Sequence, residues 1–295
     1  MVSLGIEGFD YRTVQVGRST YSVGLAGAGP PVLLLHGFPQ YHYCWHKVAP
    51  ALRAHHTVVV CDLKGCGGNR AAEGGPLGEG YSKREIAEEL VDAMGQAGFE
   101  RFAVVGHDRG GRAAYRMALD HPDRVRRLTV LNIVPTLDQF ELMAQDVSLD
   151  YYPWYFLAQP PPLPERLVGA SADYFVRHTI ESWAVDAAAV DAEALARYVR
   201  AFTPEAISAW CSDYRAAFHL DRRIDAADRS AARKIRCPLL VHWGAEESAM
   251  SDRPLGVWRS WADEVDGGPI RCGHFIPEEA ADELSASLIR FLAAS

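Results

Sequence analysis

Asp108 lies in Gly106-His107-Asp108-Arg109-Gly110-Gly111, directly after the apolar run Phe102-Ala103-Val104-Val105 and directly before a helical stretch from Arg109 to Leu119. Small residues two before and two after a nucleophilic side chain, at a strand-to-helix turn, have the form of a nucleophile elbow, with aspartate where the better-known version carries serine. The glycines let the sharp turn form, and the turn lifts the side chain above the sheet beside a helix N-terminus, where a carboxylate stays ionised. The bland alternative is an aspartate that merely caps the helix. An aspartate nucleophile displaces a leaving group from carbon and forms an ester on the enzyme, which water must then cleave. Halides and epoxides suit that chemistry better than carboxylic esters. Cleavage of the ester needs donors for an oxyanion. His36-Gly37-Phe38-Pro39 follows the apolar run Val32 to Leu35, so the N–H groups of Phe38 and Arg109 are the expected donors.

A base must activate that water. In Pro269-Ile270-Arg271-Cys272-Gly273-His274-Phe275-Ile276-Pro277-Glu278-Glu279, His274 sits where a strand ends and a helix begins, the helix favoured by Pro277 and the acidic residues after it. A catalytic imidazole needs a carboxylate on its other nitrogen. Two strand ends could supply one. After Leu128 to Leu131 comes Asn132, which can orient a ring but carries no charge. After Leu239 to His242 comes Trp243-Gly244-Ala245-Glu246-Glu247, where Glu247 is the candidate acid and Glu246 the next. Both glutamates could equally be solvated loop charges.

The elements that must position these groups are visible as short apolar runs at 32–35, 58–61, 102–105, 128–131 and 239–242, as expected of strands buried on both faces. Thr13 to Val16 and Thr20 to Val23 alternate like an edge hairpin. Amphipathic stretches, notably Lys83 to Gly95 and Arg109 to Leu119, alternate with the runs. That pattern predicts an α/β protein with a mostly parallel sheet and catalytic groups at the carboxyl ends of its strands. Between about Leu137 and Arg229 the rhythm gives way to a helical segment rich in Ala, Tyr, Trp and Pro. The expected organisation is a core at residues 1–136 and 230–295 with a helical cap at 137–229. The chain's 295 residues, 48% of them apolar, suffice for one large core, and a net charge of −8 offers no field for nucleic acid. The N-terminal residues lack the basic and apolar regions of a leader, and no apolar run approaches ~18 residues, so a soluble, cytoplasmic protein without membrane attachment is expected. Six cysteines show no metal-ligand spacing, and neither metal nor cofactor is anticipated.

From about Gly8 to its C-terminus the chain resembles the fluoroacetate dehalogenases, a haloacetate-hydrolysing branch of the α/β hydrolases. The resemblance is carried by His36-Gly37-Phe38-Pro39-Gln40, Gly106-His107-Asp108-Arg109-Gly110, Trp154-Tyr155-Phe156-Leu157-Ala158-Gln159-Pro160, Asp213-Tyr214-Arg215-Ala216 and Gly273-His274-Phe275. It implies an α/β-hydrolase fold with an inserted helical cap and a homodimer acting on a small anionic organic substrate. It further implies Asp108 as nucleophile, His274 as base, Arg109 and Arg112 as a clamp on the substrate carboxylate, and Trp154 and Tyr214 as two of three donors to the leaving halide. A guanidinium fork suits a carboxylate, and spacing of three puts both arginines near one helix face.

Four positions, in three places along the chain, depart from that pattern. Pro153 stands where relatives have the third halide-binding histidine, Asn132 where they have the acid, and Lys64 and Cys66 where they usually have Pro and Tyr. The leading expectation is hydrolytic dehalogenation of short 2-haloacids, better with chloride or bromide than fluoride; fluoride leaving as readily as chloride would imply Tyr152 or a bound water in place of the missing donor. The alternatives are an epoxide hydrolase in which Tyr152 and Tyr214 protonate the epoxide oxygen, and a binding protein of reduced turnover.

Overall fold

The computed structural model describes residues 5–143, 149–247 and 254–294; Met1 to Leu4, read above for a leader, lie outside the described residues. Eight strands form one sheet: β1 (Asp10–Val16), β2 (Ser19–Ala26), β3 (Pro31–Leu35), β4 (Thr57–Cys61), β5 (Phe102–His107), β6 (Val125–Leu131), β7 (Leu239–Gly244) and β8 (Val265–Ile270). Their order is β1-β2-β4-β3-β5-β6-β7-β8. β1 and β2 are an antiparallel hairpin joined antiparallel to β4, and every later pairing is parallel. The five apolar runs became β3 to β7. They can be continuous because helices cover both faces of a parallel sheet, so each residue is buried whichever way it points. Val32, Leu34, Val104 and Val130 have no exposed surface, and each such side chain contributes about 1.5–3 kcal/mol.

The carboxyl ends of β5, β6, β7 and β8 deliver Asp108, Asn132, Glu247 and His274 to the same end of the sheet. Between β6 and β7 the described residues contain no strand. They form helices Thr136–Leu142, Tyr152–Phe156, Leu163–Gly169, Ala172–Trp183, Ala192–Ala201, Pro204–Ala216 and Arg222–Ser230. Several of these are held over the sheet by buried charge: Arg116, on the helix after the elbow, is bound to Asp225 and Asp228. Among the described residues no helix is long and apolar enough to cross a membrane.

Candidate active site

β5 ends at His107, and Asp108 then takes φ 46°, ψ −117° before the helix Arg109–Asp120 begins. That conformation is sparsely populated for a residue with a side chain and costs on the order of 1–3 kcal/mol. It is pinned from both sides, because Asp108 N–H donates to Leu131 O at 3.0 Å and its carbonyl accepts from Arg112 N–H at 3.1 Å. A Cβ on Gly106 would sit 2.5 Å from Gly110 O, and one on Gly37 would sit 2.5 Å from Asp108 Cβ, so both glycines are required by close approach. Phe38 N–H donates to Asp108 Oδ1 at 2.8 Å. Burial pushes the Asp108 carboxyl up, but His274, Arg109 and the Phe38 N–H together hold it below the usual carboxylate range. The group is therefore ionised, the form a nucleophile needs. Arg109 is the first residue of its helix, where a peptide N–H has no intrahelical acceptor.

His274 is 5% exposed and lies beyond β8. Its Nδ1 is 3.2 Å from Glu247 Oε1, and its Nε2 is buried without a hydrogen-bond partner among the described residues. Burial pushes the imidazole pKa down, but Glu247 and then Asp108 pull it above the ordinary histidine value. Of the two glutamates offered by the sequence, only Glu247 faces the ring; Glu246 reaches out to Arg271 at 3.3 Å.

Asn132 does not orient the imidazole, contrary to the expectation that it could. Its Nδ2 donates to His274 O at 2.7 Å and to Gly273 O at 3.3 Å, and its Oδ1 accepts from Gly244 N–H at 2.6 Å. With both ends of the carboxamide spent on backbone, it ties the histidine loop to the end of β7. His107 joins it, donating from Nε2 to the same His274 carbonyl at 2.8 Å. A carbonyl can only accept, so His107 is the Nε2–H tautomer, and burial holds its pKa down at about 3. His107 went unassigned in the sequence because its role exists only through that backbone contact.

Asp108, Glu247 and His274 open on a cavity of about 150 Å³ that Trp154, Tyr214, Tyr151 and Trp183 also line. A larger depression of about 690 Å³ lies at the amino ends of β3, β5 and β6, around Arg126 and Cys237, at the opposite end of the strands from this chemistry. Trp154 and Tyr214 meet edge to face with ring centroids 5.7 Å apart. Tyr152 does not line the cavity, whereas Tyr151 does, with its hydroxyl buried beside Gln139. The reason is helical spacing: Tyr151 is three residues from Trp154 and shares its face, while Tyr152 turns away. That signal was present in the sequence. Pro153 is buried but is not part of the cavity wall.

The arginines are arranged differently from a pair of open forks. Both are fully buried and pack against the aromatic wall, Arg109 at 4.8 Å and Arg112 at 4.4 Å from the Trp154 ring, with Arg109 also 4.4 Å from the Tyr214 ring. Arg109 turns its Nε and Nη2 toward Asp213, leaving Nη1 without a partner among the described residues. Arg112 donates to Val134 O at 2.9 Å and to the neutral side chains of Thr136 and Gln139, each at 3.3 Å, and its Nε has no partner among the described residues. No ion pair of Arg112 occurs among the described residues. A buried guanidinium without a counter-charge is costly unless an anion completes it. No group of three or more His, Cys, Asp or Glu among the described residues could hold a metal ion.

Comparison with known proteins places the chain among the α/β hydrolases. The family model for the α/β hydrolase fold matches residues 30–281. The chain is 41% identical to a fluoroacetate dehalogenase from Burkholderia sp, covering 97% of this chain and 94% of that one. It is 31% identical to a soluble epoxide hydrolase from Corynebacterium sp. (strain C12), covering 91% and 92% respectively. A solved structure of a proposed epoxide hydrolase from Pseudomonas aeruginosa superposes with a TM-score of 0.92 at 43% identity, covering 97% and 96%.

Proposed function

Because the chain belongs to the α/β-hydrolase fold family, and within it to the fluoroacetate dehalogenase branch, we propose that it hydrolyses the carbon–halogen bond of short 2-haloacids through an ester on Asp108. The observation that carries this reading is the meeting, in one cavity, of an ionised aspartate at a strained elbow and a histidine paired with Glu247. Phe38 N–H holds Oδ1, which leaves Oδ2 to attack. The C–X bond breaks with its electron pair leaving on the halide, and a C–O bond to Asp108 forms. His274 Nε2 then takes a proton from water, and the hydroxide attacks Cγ of the ester. Phe38 and Arg109 N–H groups receive the oxyanion. Collapse releases the 2-hydroxyacid, whose oxygen takes the proton from His274, and the proton left on the Asp108 carboxyl passes to solvent. Glu247 stabilises the intervening imidazolium.

The substrate carboxylate is received on Arg109 Nη1 and Arg112 Nε, one edge from each arginine. Trp154 and Tyr214 face the leaving halide. Pro153 supplies no side-chain donor, and the Tyr151 hydroxyl lies on the Arg112 side near Gln139, so the cradle has two donors. Fluoride, small and strongly hydrated, depends most on such donors, hence a preference for chloroacetate or bromoacetate. The helical segment acts as the cap, and its exposed Leu163, Leu167 and Tyr174 are where a second copy would dock in a cytoplasmic homodimer.

One observation favours a second reading. Tyr151 and Tyr214 both line the cavity together with Asp108, as an epoxide hydrolase would need to protonate a ring oxygen. Halide release from chloroacetate and chloroacetamide, measured beside diol formation from a panel of epoxides, separates the two. Chloroacetate turnover well above that of chloroacetamide supports the haloacid reading, and diol formation without halide release contradicts it.

A further inference from the structure

Lys83 opens the helix Lys83–Gln96, where a lysine ordinarily points to water, yet it is 1% exposed. Its Nζ is bound to Asp213 Oδ2, while the other oxygen of the same carboxylate holds Arg109. Arg109 also donates from Nη2 to Asp213 O at 3.2 Å. The Lys83 peptide N–H donates to Asp221 Oδ1 at 2.8 Å, which brings a second carboxylate into the cluster. All four side chains are at least nine-tenths buried.

A lone carboxylate against a buried arginine would cancel the charge that arginine presents to a substrate. Here two cations, Lys83 and Arg109, stand against two carboxylates, Asp213 and Asp221. The charge of Arg112, which has only neutral acceptors, is left in surplus at the cavity wall. Removing the Lys83 ammonium would erase that surplus while leaving every group that touches the cavity in place. We propose that Lys83 is a positioning and specificity-determining residue: by taking up the charge of Asp213 behind Arg109, it keeps the arginine pair net positive toward the substrate carboxylate. The inference rests on the haloacid reading given above. Unit charges ~10 Å apart in a protein interior change an equilibrium constant by about an order of magnitude.

The test compares kcat and KM for chloroacetate and chloroacetamide in the wild type, Lys83→Met, Lys83→Gln, Lys83→Arg and the double variant Lys83→Met with Asp213→Asn. Lys83→Gln keeps a hydrogen-bond donor for Asp213 and so serves if the methionine variant does not fold. The neutral substitutions are expected to raise KM for chloroacetate about tenfold with kcat changed less than about twofold, and to leave chloroacetamide kinetics unchanged. Lys83→Arg restores the wild-type KM. The double variant, in which one positive and one negative charge are lost together, returns part of the way from the single one, the sign a charge effect requires. An unchanged chloroacetate KM in both neutral variants overturns the inference, as does an equal loss on both substrates. A wild type that does not prefer chloroacetate overturns the haloacid reading itself, and that result is distinguishable because it involves no variant.

Discussion

The two walls of the cavity are built on different principles. On the sheet side, backbone geometry positions the groups: Asp108 is fixed by an elbow, Phe38 by a glycine-led loop, and His274 by a carbonyl held from Asn132 and His107. On the helical side, aromatic packing does it: Trp154 and Tyr214 cross edge to face over two buried guanidinium groups. Backbone turns tolerate little change of residue, whereas a packed aromatic wall accepts substitution if volume is kept. On the proposed reaction, the difference assigns the covalent chemistry to the sheet side and the choice of substrate to the helical side. Changes on the first should alter kcat for every substrate, and changes on the second should alter the ratio between substrates.

The largest expected break is Asp108→Asn, which should abolish halide release from all haloacids, a loss beyond about 10⁴-fold. Retained turnover on any of them would move the nucleophile elsewhere. Next comes Glu247→Gln. Because His274 acts in the second step, hydrolysis of the ester should slow by about 10²–10⁴-fold and its formation much less, so intact-protein mass spectrometry should find the ester accumulating. A silent Glu247→Gln would leave the imidazole without an acid. Arg112→Ala should then sharpen the contrast, lowering kcat/KM for chloroacetate by about 10²–10³ while sparing chloroacetamide, as expected when one partner of a buried charge pair is removed.

Two smaller effects refine the comparison. Pro153→His should raise fluoroacetate turnover relative to chloroacetate by about tenfold, less than the 10²–10³ attached to an ideally placed donor, because the proline is buried off the cavity wall. A ratio that does not move would place the halide away from that residue. His274 must be neutral to act as base, and Glu247 raises its pKa against the effect of burial, a contribution that persists in the ester, where Asp108 has lost its charge. Ester hydrolysis should therefore fall as pH drops through the His274 pKa. In Glu247→Gln, that acid limb should shift to lower pH.

The sheet side was legible because its signals are local. The apolar runs that became β3 to β7, the spacing of Gly106, Asp108 and Gly110, and the glycine before His274 all fall within a few residues of what they position. β8 was harder: Val265–Ile270 carries Asp266, Gly267 and Gly268 on a half-exposed edge, and only its end, at Pro269 and Ile270, reads as strand. The helical side resisted in two ways. Tyr151 rather than Tyr152 faces the cavity because of its spacing of three from Trp154, a signal the sequence holds but a run of neighbouring aromatics obscures. Lys83 and Asp213 meet across 130 residues of sequence, so no spacing could reveal that the Asp213 carboxylate is shared between Lys83 and Arg109. Asn132 reads as a lost acid in the sequence, and only the folded chain shows it tying the histidine loop to β7.

The central claim is that Asp108 forms a covalent ester with the substrate carbon. Excess protein given a limiting amount of chloroacetate in heavy-oxygen water should, after one turnover, carry one heavy oxygen in the peptide containing Asp108, because water attacks the ester carbonyl and one of its oxygens stays on the enzyme. The glycolate from that turnover should be unlabelled. Heavy oxygen confined to the glycolate would mean direct attack by water, and would contradict the account.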